Sequence, residues 1–62
     1  MATYQEARDF IEGRFYTVRA RHGDQAARTI TAWGLQELAA DGTITQEDAA
    51  RLRAELDDIP GF

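Results

Sequence analysis

Sixty-two residues allow one domain at most, and a chain this short buries only about 60% of the surface its unfolded form exposes. It contains no cysteine, so neither disulfides nor thiolate metal sites can make up that deficit, and oligomerisation or docking onto a larger partner gains weight. A net charge of −4 disfavours nucleic-acid binding, and the lack of lysine, serine and cysteine removes the usual nucleophiles and the P-loop.

The 44% hydrophobic content argues against disorder. No apolar run approaches the roughly 18 residues of a membrane span, and the amino terminus lacks a signal-peptide pattern, so a cytoplasmic location is expected. All seven basic residues are arginine, a bias that fits a GC-rich coding sequence of bacterial or phage type. Charge is uneven: residues 1–23 are mildly basic through Arg8, Arg14, Arg19 and Arg21, whereas residues 42–62 are acidic through Glu47, Asp48, Glu55, Asp57 and Asp58.

In chain order, Thr3-Tyr4-Gln5-Glu6 reads as a capping box at the start of a helix. Tyr4, Ala7, Ile11, Phe15 and Val18 follow at helical spacing, and Arg19, Arg21 and His22 fall where positive charge complements the helix dipole. Gly23 stops this first helix, read over about 4–22, and Asp24 is the expected cap of the next. The second helix, about 25–40, carries Ala27, Ile30, Thr31, Gly34 and Leu38 along one side. A glycine inside a helix costs about 1 kcal/mol relative to alanine, so Gly34 is expected to pack closely against a neighbour.

Gly42 then ends the second helix and Thr45 caps the third, with Asp48 three residues on; Ile44 between them should plug the corner. Ala49, Leu52 and Leu56 form the inner face of the third helix, read over about 46–57. Pro60 stops any continuation, leaving Ile59 and Phe62 to fold back on the helices. The expected fold is all-α: one domain over 1–62, a small up-down-up three-helix bundle that oligomerisation would complete.

Leu35 and Leu38, the corner Gly42-Thr43-Ile44-Thr45-Gln46-Glu47-Asp48, and then Leu52 and Leu56 occur in an order that resembles the short C-terminal hairpin module abbreviated SHOCT. The resemblance covers about residues 35–56 and departs from the pattern at Ala49, where an aromatic is common. It implies an interaction or oligomerisation module with no catalytic residues to carry over.

Other motifs have weaker support. The corner aligns with a calcium-binding EF-hand loop only if Ala39 stands at a ligand position and the short Asp48 replaces the bidentate glutamate, so a capped corner is favoured. A helix-turn-helix over residues 27–57 would present an acidic recognition helix to phosphate. His22 has no second histidine for a metal site, and a bundle this small offers little room for a catalytic pocket. No cofactor, metal or catalytic residue is expected.

The aromatic residues point elsewhere. At about 100° per residue, Phe10 lies about 100° from the centre of the first helix's apolar stripe and Tyr16 about 140°. Gly13 and Ala20 sit near Tyr16, giving a small-residue strip flanked by aromatics, which suits a partner surface. Trp33 is expected to be partly buried at the edge of the second helix's stripe and to act as an interface hot spot. The leading expectation is a non-catalytic protein-interaction module, self-associating or an adaptor, using Phe10, Gly13, Tyr16, Ala20 and Trp33. The alternative is a small acidic inhibitor, of the kind phages encode, that presents Glu47, Asp48, Glu55, Asp57 and Asp58 to a nucleic-acid-binding protein.

Overall fold

A reciprocal capping box opens the first helix: the Glu6 amide donates to Thr3 Oγ1 at 3.1 Å, and the Thr3 amide donates to Glu6 Oε1 at 2.9 Å. The computed structural model describes residues 2–62, which form α1 (Tyr4–His22), α2 (Asp24–Ala40) and α3 (Gln46–Leu56), with no strand among the described residues. α1 and α2 form an antiparallel pair with the most extensive interface, and α3 packs against both. Among the described residues, no helix is long and apolar enough to cross a membrane.

The turn between α1 and α2 is a single residue. Gly23, at φ 90°, donates its amide to the Arg19 carbonyl and accepts from the Ala27 amide, so one glycine closes α1 and opens α2. Asp24 is therefore not the expected cap. It is the first residue of α2 and makes no side-chain capping bond, because the reversal leaves no separate position for one. Its carboxylate still lies at the positive end of the helix dipole.

The corner after α2 follows its sequence closely. Gly42 takes φ 80°; its amide donates to the Ala39 carbonyl, and the Thr43 amide donates to that of Leu38 at 3.0 Å, which is a Schellman closure. Thr45 Oγ1 then accepts from the Asp48 amide at 3.0 Å and starts α3. Ile44, between the two caps, is 2% exposed. The Ala2 amide donates to the Thr43 carbonyl and ties the start of the chain to this corner.

The core takes Ala7, Ile11 and Phe15 from α1, Ala27, Thr31 and Leu35 from α2, Ile44 from the corner, and Leu52 and Leu56 from α3. In α2 the buried line is rotated from the expected one: Leu35 is buried, while Ile30, Gly34 and Leu38 are half-buried. The reason is α3, which covers the Leu35 side of α2 and draws the centre of the stripe toward itself. Close packing does not explain Gly34 either. A Cβ there would meet only Arg14 Nε and Ile11 Cδ1, both at the ordinary contact distance of 4.0 Å.

After α3, Phe62 folds back and tilts against Phe15, with ring centroids 5.2 Å apart. Arg19 Nη1 donates to the Pro60 carbonyl at 2.9 Å, and Arg53 lies over the Phe62 ring. Ile59 is likewise half-buried against the core.

Candidate interaction surface

The α1–α2 pair has two broad faces, and α3 covers one of them. On α1, Tyr4 and Arg8 reach Glu55 of α3. On α2, Ala32, Leu35 and Ala39 line a shallow depression with Ala49 and Arg53 of α3. Gly34 stands level with Ile11 and Arg14, which marks the register between α1 and α2. Turning about 100° per residue from these anchors, the opposite face carries Phe10, Gly13 and Thr17 of α1 beside Ile30, Trp33 and Glu37 of α2.

Among the described residues, that face holds two of the three large hydrophobic side chains left exposed: Phe10 at 56% and Trp33 at 58%. Trp33 is thus more exposed than its place beside the α2 stripe suggested. The rotation that brings Leu35 inward turns Trp33 outward. Beside Phe10 lies a depression of about 250 Å³, lined also by Ala2, Glu6, Ala7, Leu38 and Thr43.

Tyr16 belongs to a different part of α1, and Ala20, seven residues from Gly13, lies within about 20° of that glycine around the helix. Both are exposed, and they lie round the helix from Phe10, toward its outer edge. The Tyr16 ring meets Phe15 edge-on at 5.5 Å, and the Arg19 guanidinium lies 4.9 Å from its centroid. The five residues singled out from sequence therefore divide. Phe10 and Trp33 share one face, Gly13 and Ala20 lie together at its edge, and Tyr16 lies beyond them. Ile30 and Glu37 complete the face and were missed, because a wheel drawn for one helix contains no information about which side of its neighbour remains open.

Charge on the α3 side is internally paired. Glu55 accepts from the Tyr4 hydroxyl and forms ion pairs with Arg8 at 3.3 Å and Arg51 at 3.5 Å. The Tyr4 hydrogen bond, aided by these arginines, holds the Glu55 carboxyl below its ordinary range. Desolvation, then the same bond, pushes the Tyr4 phenol up. Arg51 also lies 3.9 Å from the Tyr4 ring centroid. Asp57 pairs with Arg53 at 3.1 Å, so two of the five acidic residues in the C-terminal third are engaged within the chain. By contrast Arg14, Arg21 and Glu37 are exposed and form no ion pair among the described residues.

The corner carboxylate of Asp41 is committed locally. Its Oδ1 accepts from the Thr43 amide at 2.9 Å and the Thr43 hydroxyl at 2.6 Å, and the hydroxyl bond chiefly lowers its pKa. Among the described residues, no three His, Asp or Glu side chains gather as metal ligands.

No protein-family model matches the chain, and neither the curated proteins nor the solved structures compared with it give a match.

Proposed function

We propose that this chain is a non-catalytic protein-interaction module whose contact surface is the α1–α2 face left open by α3. The observation that carries this reading is the placement of Phe10 and Trp33, each more than half exposed, on that one face of a domain too small to waste apolar burial. Gly13 lies between them in register, has nothing within 4 Å of where a Cβ would stand, and would let a partner approach the α1 backbone. Trp and Phe anchors that become buried on contact contribute at roughly 25 cal/mol per Å² of apolar surface. Tyr16 and Ala20 would serve as flanking contacts.

The test is alanine substitution read by association. Phe10→Ala and Trp33→Ala should each weaken binding to whatever the wild-type chain associates with, at least tenfold, while helix content by circular dichroism is kept. Binding that is unchanged in both variants defeats the assignment. The inhibitor alternative has less support, because Glu55 and Asp57 are already satisfied within the chain.

A further inference from the structure

We infer that residues 59–62 are an autoinhibitory strap, seated in a groove of Phe15, Arg19 and Arg53 that, once vacated, takes an extended partner segment bearing an aromatic side chain. The groove is separate from the open α1–α2 face, because Phe15 lies about 140° round α1 from Phe10.

The strap is held lightly. Among the described residues its backbone bonds are local: the Ile59 amide donates to the Leu56 carbonyl, and the Phe62 amide to that of Ile59. One hydrogen bond crosses to α1, from Arg19 Nη1 to the Pro60 carbonyl at 2.9 Å. Pro60 and Gly61 are exposed, and Ile59 and Phe62 are only half-buried. Sparse burial and a lack of backbone bonds to other elements let a segment open while the rest of a fold stays closed.

The groove, by contrast, is built without the strap. Phe15 comes from α1, and its ring centroid lies 5.2 Å from that of Phe62. The Arg19 guanidinium lies 5.1 Å from the Phe15 centroid and 4.9 Å from that of Tyr16, so two rings of its own helix hold it at the Pro60 carbonyl. Arg53 lies 5.4 Å from the Phe62 centroid and is anchored by Asp57 at 3.1 Å. An aromatic surface, a donor for a backbone carbonyl and a cation for a second ring therefore keep their supports when the strap leaves. Such preorganisation lowers the cost of seating another segment. The strap itself displays the chemistry of that segment, one ring and one carbonyl.

Gly61 lets the strap close. It sits at φ 88°, which glycine alone adopts readily, and a Cβ there would stand 2.5 Å from Arg19 Nη1. Gly61→Ala thus dislodges the strap and leaves Phe15, Arg19 and Arg53 unchanged.

The experiment titrates the full chain with a capped synthetic peptide of residues 58–62, followed by two-dimensional NMR, with circular dichroism to monitor folding. A closed strap weakens apparent affinity by the fraction of chains in which the groove is open, so wild type should bind roughly tenfold or more weakly than Gly61→Ala and Phe62→Ala. Both variants should keep their helix content, and shifts should centre on Phe15, Arg19 and Arg53. Adding Arg19→Ala to Gly61→Ala removes the donor for the carbonyl and should weaken the peptide by roughly tenfold. The same peptide carrying Phe62→Ala should not bind. Equal binding by wild type and Gly61→Ala, no binding by either variant, or shifts away from the groove overturns the inference. Loss of helix in both variants also overturns it, because the segment would then be part of the core. None of these failures touches Phe10 or Trp33, so the α1–α2 reading stands or falls on its own test.

Discussion

Among the described residues, Thr31 is the one buried polar side chain in the core, and its hydroxyl has no hydrogen-bond partner there. Thr31→Val keeps the β-branched shape and nearly the same helix propensity, so the exchange isolates the hydroxyl. A buried polar group left unsatisfied costs about 1–3 kcal/mol, and replacing this one by a methyl should recover roughly 1–2 kcal/mol. For a domain of about this size, 1 kcal/mol moves Tm by roughly 4–8 °C. Urea and thermal melts followed by circular dichroism should therefore show a higher midpoint with an unchanged m-value. A lower midpoint would refute the reasoning, since it would mean that the hydroxyl holds a bond in solution that valine cannot replace.

The glycines make opposite predictions. Gly34→Ala should stabilise by about 1 kcal/mol, because the new methyl reaches only ordinary contact distance. Gly42→Ala should destabilise by about 1–2 kcal/mol, because the residue sits at φ 80°; matched urea melts compare the two. Ile44→Ala removes a side chain 2% exposed and should cost about 2–4 kcal/mol, enough in so small a domain to populate unfolded chain visibly at 25 °C by circular dichroism. On acidification the lowered carboxyl groups of Glu6, held chiefly by the Thr3 amide, Asp41, held by Thr43, and Glu55, held by Tyr4, contribute stability that is full above their ordinary pKa. It is lost as pH falls from about 4.5 through the lowered values. Urea midpoints measured from pH 7 to 2 should drop over that window, and Glu55→Gln should flatten the drop; an equal drop in that variant would remove Glu55 from the account.

Local chemistry made the three helices legible in the linear chain. Thr3 with Glu6, Gly42 and Thr45 each act within four residues, so their bonds depend on neighbours that the sequence places beside them. The helix expected over 25–40 begins at Asp24, and the one expected over 46–57 ends at Leu56, displacements of one residue. Gly23 departs further, because a glycine able to reverse the chain alone removed the cap position assigned to Asp24.

What the sequence by itself determined was where each helix starts and stops and which α1 residues point inward, since caps and periodicity are short-range properties. Only the tertiary structure decided which side of α2 is core. The position of α3 turned Leu35 in and Trp33 out, and the spacing of α1 from α2 left room for a methyl at Gly34. It also decided that Phe10 faces the same way as Trp33 while Tyr16 does not. The sense in which two helices face one another is set by how the whole core closes, and no window along one helix contains that information.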